Sequence, residues 1–163
     1  MAKSDSFFIR AKTDTNGLTY AQTSIDLGAY VDALGKSVLR IHNIEVVYGS
    51  PLELVNGAPT TTTRSGFQLT TQSQTALVGI TDKSVIASGS LTIATNATNA
   101  DFIDDRLDVG PQRWTKGYLV GVEQIYLGVD QTFDHVDEIS VMLECTVETL
   151  SSSAAMALAL SQQ

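Results

Sequence analysis

Apolar and polar residues alternate at every second position along most of this chain, with β-branched side chains enriched. That period marks about eight strand candidates separated by turn signals. The first covers 7–12. Asn16-Gly17, a pair in which both residues tolerate positive φ, predicts a hairpin-type turn leading into the second at 18–27. From Asp26 the spacing changes. Leu27, Val31 and Leu34 recur at helical intervals, Asp26 can cap the start and Gly35 the end, so a short two-turn helix is expected there.

A long strand is expected over 37–48, yet Leu39 and Ile41 share one parity while Ile44, Val46 and Tyr48 share the other. Strict alternation cannot do this, which predicts a bulge or bend near His42-Asn43. Residues 49–65, with Pro51, Pro59, Asn56-Gly57 and a threonine run, read as a long surface loop. Short strands are expected at 66–71 and 75–80, and a longer one at 84–94. An irregular stretch, 95–116, carries the acidic run 101–108. Residues 118–129 are apolar at both parities, as in a central strand packed on two sides, and 138–150 closes the pattern with the cleanest alternation in the chain. Together these elements predict an all-β fold: a two-sheet antiparallel Greek-key or jelly-roll sandwich with one short helix. The domain is expected to span 1–150. The apolar tail 151–163 either frays or docks on a neighbour.

Composition narrows the functions available. Hydrophobic residues make up 43% and charged residues 17%, below the ~25% charged of an average globular protein, so much of the surface is Ser, Thr, Gln, Asn and Gly. Surfaces this poor in charge are often covered by neighbours. The formal charge is −8, and no Lys or Arg follows Lys116. Direct nucleic-acid binding is not expected, because it needs clustered bases to displace counterions from phosphates. The residues after Met1 form no apolar leader, and the apolar tract 154–160 is far shorter than the ~20 residues of a transmembrane helix, so neither a signal peptide nor a membrane span is expected.

Candidate chemistry is sparse. His42 falls mid-strand, His135 lies in a turn, and no Gly-x-Ser-x-Gly, P-loop or Gly-x-Gly-x-x-Gly pattern opens a helix, so no enzyme is expected. The lone Cys145 sits inside an apolar alternation and reads as a core residue. Zinc lacks ligands. Calcium needs only oxygens, and two acidic groups could supply them: Asp101, Asp104, Asp105 and Asp108, or Asp134, Asp137 and Glu138, although neither has EF-hand spacing. No other cofactor is expected. Asn96-Ala-Thr98 matches a glycosylation acceptor by pattern alone. Trp114, with Tyr118 nearby, could stack on a sugar or could simply close the end of a sandwich.

Several segments carry a resemblance: Phe7-Phe-Ile-Arg10, Ser24-Ile-Asp-Leu27 leading into Val38-Leu-Arg-Ile-His-Asn-Ile-Glu-Val-Val-Tyr48, and the closing pair 118–129 and 139–149. In pattern and spacing the chain resembles the single jelly-roll capsid proteins of icosahedral viruses. The resemblance implies a virion subunit that assembles with its own copies and with other virion proteins, using edges, loops and termini. Phe7, Met156, Leu158 and Leu160 are the apolar candidates for such contacts. One departure concerns the genome: many capsid proteins of this kind begin with a basic arm, whereas residues 1–6 hold only Lys3. A carbohydrate-binding or adhesion module of the same architecture, extracellular or at a cell surface, is the alternative, with Trp114, Tyr118 and the 101–108 loop as its site.

Overall fold

A computed structural model describes residues 4–32, 36–49, 62–95, 101–106 and 114–163. It contains β1 (Phe7–Asp14), β2 (Ala21–Asp26), β3 (Ser37–Tyr48), β4 (Thr62–Thr70), β5 (Val85–Thr95), β6 (Asp101–Arg106), β7 (Tyr118–Val120), β8 (Gln124–Gln131), β9 (Glu138–Thr149) and one helix, α1 (Ser152–Ser161). The first sheet has the order β1-β9-β3-β7 and the second β2-β8-β4-β5-β6. Within them β4 pairs with β5, β3 with β7, β2 with β8 and β1 with β9, all antiparallel. These are the nested rungs of one long hairpin folded over itself, alternate rungs falling in alternate sheets. That is the jelly-roll arrangement, with β6 added at one edge.

The core lies between the sheets because each strand sends every second side chain inward. Phe7, Ile9 and Ala11 of β1 face it, while Phe8, Arg10 and Lys12 are exposed. In β3 the register shifts between Ile41 and Asn43. This is the expected bulge, and it acts by swapping parity: Leu39 and Ile41 before it, and Ile44, Val46 and Tyr48 after it, all meet the same core. Phe67 and Tyr48 close the gap edge to face, ring centres 6.2 Å apart, and Phe7 stacks on Tyr30 at 4.7 Å.

Residues 118–129 are not one central strand packed on two sides. The chain leaves the first sheet after Val120 and enters the second at Gln124. Tyr118 and Val120 face the core at even positions, Ile125, Leu127 and Val129 at odd ones. A change of sheet produces the double-sided apolar pattern. The helix expected from Asp26 is reduced to a single turn among the described residues. Tyr30 and Val31 donate to the Leu27 carbonyl at 2.8 and 2.9 Å, and Asp32 then bridges to Ser37. The spacing of Leu27 and Val31 reflects joint burial in the core rather than a sustained helix; Leu34 and Gly35 lie outside the described residues. The Asn16-Gly17 turn forms, with Gly17 at φ +58°, but β1 and β2 diverge into opposite sheets instead of pairing. Within the expected irregular stretch 95–116, residues 101–106 form β6. Most of the expected loop 49–65 lies outside the described residues, and β4 begins within it at Thr62.

Residues 75–80, expected to be a strand, belong to a strap over 71–84 that lies on the outward face of the second sheet. Gln22, Gly128, Gln68 and Ser88 form one row across that face. Gln68 is fully buried beneath the strap: its Nε2 donates to the Tyr20 hydroxyl and to the Ala76 carbonyl, both at 2.9 Å, and its Oε1 accepts from the Val78 N–H at 2.7 Å. Gly66 makes room for the strap, where a methyl group would meet Leu77, and Gly128 for the Tyr20 ring that Gln68 bonds.

Residues Ser152–Ser161 of the tail form α1, and Gln162 bonds the 119–121 backbone of its own chain. Ser151 caps α1 by accepting from the Ala154 N–H, and Ala155 and Ala159 are buried. The side-chain amide of Gln162 accepts from the Gly121 N–H at 2.8 Å and donates to the Leu119 carbonyl at 2.7 Å, while the Gln162 carbonyl accepts from the Thr71 hydroxyl.

Candidate functional site

The outward face of the first sheet has two regions of different character. Toward the C-terminal half of β3, three rows cross β1, β9 and β3: Phe8, Glu144, Asn43; Arg10, Met142, Glu45; Lys12, Ser140, Val47. The second and third rows line an open trough of about 470 Å³, and the Phe8 row borders it. Phe8 is 50% and Val47 49% exposed, large apolar surfaces for positions bounded by charge. The Arg10 guanidinium lies over the Phe8 ring, 5.7 Å from its centre. Lys12 donates to Glu138 at 2.7 Å, and that hydrogen bond raises Lys12 above its ordinary pKa and lowers Glu138 below its own. Both groups are open to water, so the pair adds little to stability.

The other half of the face is polar. Arg40 grips Glu148 with two hydrogen bonds of 2.7 Å and donates to the Lys116 carbonyl; the bonds to Glu148 raise its pKa. His42 Nε2 meets the Thr146 hydroxyl at 2.8 Å. Trp114 tilts against Tyr118, centres 5.3 Å apart, and both pack on the core; burial raises the Tyr118 pKa. Gly117, at φ +73°, carries the chain through this corner where a methyl would lie 2.7 Å from the Ile41 carbonyl oxygen. A shallow pocket of about 380 Å³ remains, bordered by Trp114, Arg40, His42, Lys116 and Glu148.

Of the expected contact residues, Phe7 turns inward onto Tyr30, and the exposed aromatic at this end is Phe8. Met156 and Leu160 are exposed along one side of α1, while Leu158 is half-buried over Gly121. The acidic groups fare differently. Asp134 sits over Gly17, Asp137 is buried with its N–H on Thr15, and Glu138 serves Lys12 and Ser140. Asp101, Asp104 and Asp105 lie along β6, and Asp108 lies outside the described residues. Among the described residues no three His, Cys, Asp or Glu side chains gather as a metal would require. Cys145 is buried, and burial together with Glu144 pushes its thiol up to about 12, so it is no nucleophile at neutral pH. No described helix is long and apolar enough to cross a membrane.

Sequence reading missed the trough. Its signal was present as Phe8, Met142 and Val47 on the polar parity of three strands, but only the register brings those positions side by side.

No protein-family model matches the chain, and no curated protein matches it significantly. Among solved structures, a chain of Desmodium yellow mottle tymovirus is similar over 91% of this chain and 91% of its own, with 9% sequence identity and a TM-score of 0.31.

Proposed function

We propose that this chain is a structural subunit of an icosahedral virus shell, assembling with copies of itself and with other virion proteins, with no catalytic role and no direct hold on the genome. The observation that carries the reading is the jelly-roll sandwich with a filled core that nevertheless leaves large apolar side chains, Phe8, Val47, Met156 and Leu160 among them, on its outside. A packed core gives such residues no role within the subunit, whereas contact with neighbours does. The charge of −8 and the scarcity of bases support packing against protein rather than nucleic acid. Electron microscopy and light scattering of purified protein test it, with closed particles as the expected result. A species that stays monomeric across protein concentration, salt and calcium overturns it.

A second reading, a carbohydrate-binding or adhesion module, draws on the pocket beside Trp114. Binding on a glycan array that is lost in Trp114→Ala, with particles absent, would favour it over the shell.

A further inference from the structure

We infer that the trough on the first sheet is a two-fold contact, occupied by the same trough of a second copy, so that Arg10 of each subunit meets Glu45 of the other. This deepens the shell reading and rests on its premise that the chain packs against itself. The argument is one of charge complementarity. Arg10, Met142 and Glu45 stand in one row across β1, β9 and β3, with a cation at one end, an anion at the other and a thioether between them. When two such faces meet across a two-fold axis running parallel to β9 and above it, β1 of one copy lies over β3 of the other at the same height. Arg10 then faces the partner's Glu45, Glu45 faces the partner's Arg10, and Met142 meets its own image. An axis across the strands would instead stack arginine on arginine and glutamate on glutamate. The charge order therefore selects one arrangement of the two.

The neighbouring rows fit that arrangement with one exception. Val47 covers the apolar stem of the partner's Lys12 and Phe8 meets the partner's Asn43. Glu144 lies under the axis and approaches its own image, a repulsive pair whose removal should tighten the contact. Among the described residues the ion pairs are Lys12 with Glu138 and Arg40 with Glu148; Arg10 lies over its own Phe8 ring and, among the described residues, neither it nor Glu45 is in an ion pair. The face spans only three strands, less than the ~800 Å² per partner of a standard interface, so the dimer is a weak one that a shell would multiply.

Sedimentation analysis of wild type, R10E, E45R and E144Q, alone and mixed, tests this. In R10E each copy offers two glutamates and in E45R two arginines, so each variant repels itself while a 1:1 mixture is complementary at both positions. The expected results are reversible dimers of wild type, a dimer dissociation constant about tenfold higher or more in either variant alone, recovery in the mixture, and tighter association of E144Q. Arg10 and Glu45 are exposed, and thermal melts matching wild type verify that the variants fold. Wild type monomeric to about 1 mM, single variants that associate unchanged, or a mixture no better than its parts would overturn the contact. The two readings fail separately. Dimers that obey the charge swap but never form particles would sink the shell alone, and particles assembling identically from R10E would sink this contact alone.

Discussion

Replacing Gly128 with alanine tests whether the strap over the second sheet is held by the buried Gln68. The new methyl would overlap the Tyr20 hydroxyl and approach the ring carbon that bears it to 2.6 Å, so the ring must swing out. Gln68 Nε2 then loses its 2.9 Å bond to Tyr20 in a place closed to water, keeping only the Ala76 carbonyl. A buried polar group left short of a partner costs about 1–3 kcal/mol, and displacing a half-buried ring adds to it. Against this, alanine restricts the unfolded chain and returns roughly 0.4–1 kcal/mol. The net expectation is a loss of about 1–3 kcal/mol, which in a chain of this length lowers the melting temperature by roughly 3–10 °C. Thermal and urea unfolding measure it. The decisive control is Tyr20→Ala: in that background the three atoms closest to the methyl, all of Tyr20, are gone, so Gly128→Ala should be neutral or mildly stabilising, and the two changes should be strongly non-additive. Equal stability of Gly128→Ala and wild type, or simple additivity with Tyr20→Ala, would refute the role given to this row.

Three further outcomes are expected. Glu148→Gln leaves Arg40 largely buried without its counter-charge and should cost about 2–4 kcal/mol in urea unfolding, while Arg40→Met with Glu148→Leu should recover most of it; a single variant within about 0.5 kcal/mol of wild type would contradict this. Gln162→Ala removes both bonds to the 119–121 backbone, so the amides of α1 should exchange much faster while those of β3 and β9 keep their protection, as read by hydrogen exchange. Cys145 should resist thiol reagents until the protein unfolds. Because its folded pKa is raised from about 9 to about 12, it stabilises the fold below pH 9 and that stability is lost as pH rises from 9 to 12; Tyr20 and Tyr118, also raised by burial, steepen the loss, and a flat alkaline profile would count against it.

Most of the fold was legible because the strands obey local rules. The parity break at His42-Asn43 predicted a bulge, and the structure places one there. What could not be read locally was where a pattern changes sheet or changes partner. The double parity of 118–129 has two physical causes, a buried strand or a strand that crosses between layers, and only the strand partners decide it: Tyr118–Val120 pairs with β3, Gln124–Gln131 with β2 and β4. The 75–80 segment looked like a strand because Leu77 and Ile80 are apolar. It is a strap because the Gln68 side chain bonds its backbone at Ala76 and Val78 and Gly66 leaves room for Leu77. The trough was invisible for the same reason: Phe8, Val47 and Met142 are unremarkable one at a time and become a surface only through register.

The fold treats its two outward faces and its edges unequally, and this limits how copies can meet. The second sheet covers its own outer face with the 71–84 strap, and half of the first sheet's face is filled by the Arg40–Glu148 pair. The edge at β7 is closed as well: the Gln162 amide accepts from the Gly121 N–H and donates to the Leu119 carbonyl, two residues apart, as the backbone of one more strand would. A tail that seemed free to seek a neighbour thus occupies the place where a neighbouring strand would add. Among the described residues the first sheet is left with the β1 edge, bonded only to β9, the trough beside it, and the pocket beside Trp114. With the β7 edge occupied by Gln162, the β1 edge is, among the described residues, the one edge of this sheet left for a further strand to join, which limits edge-to-edge growth.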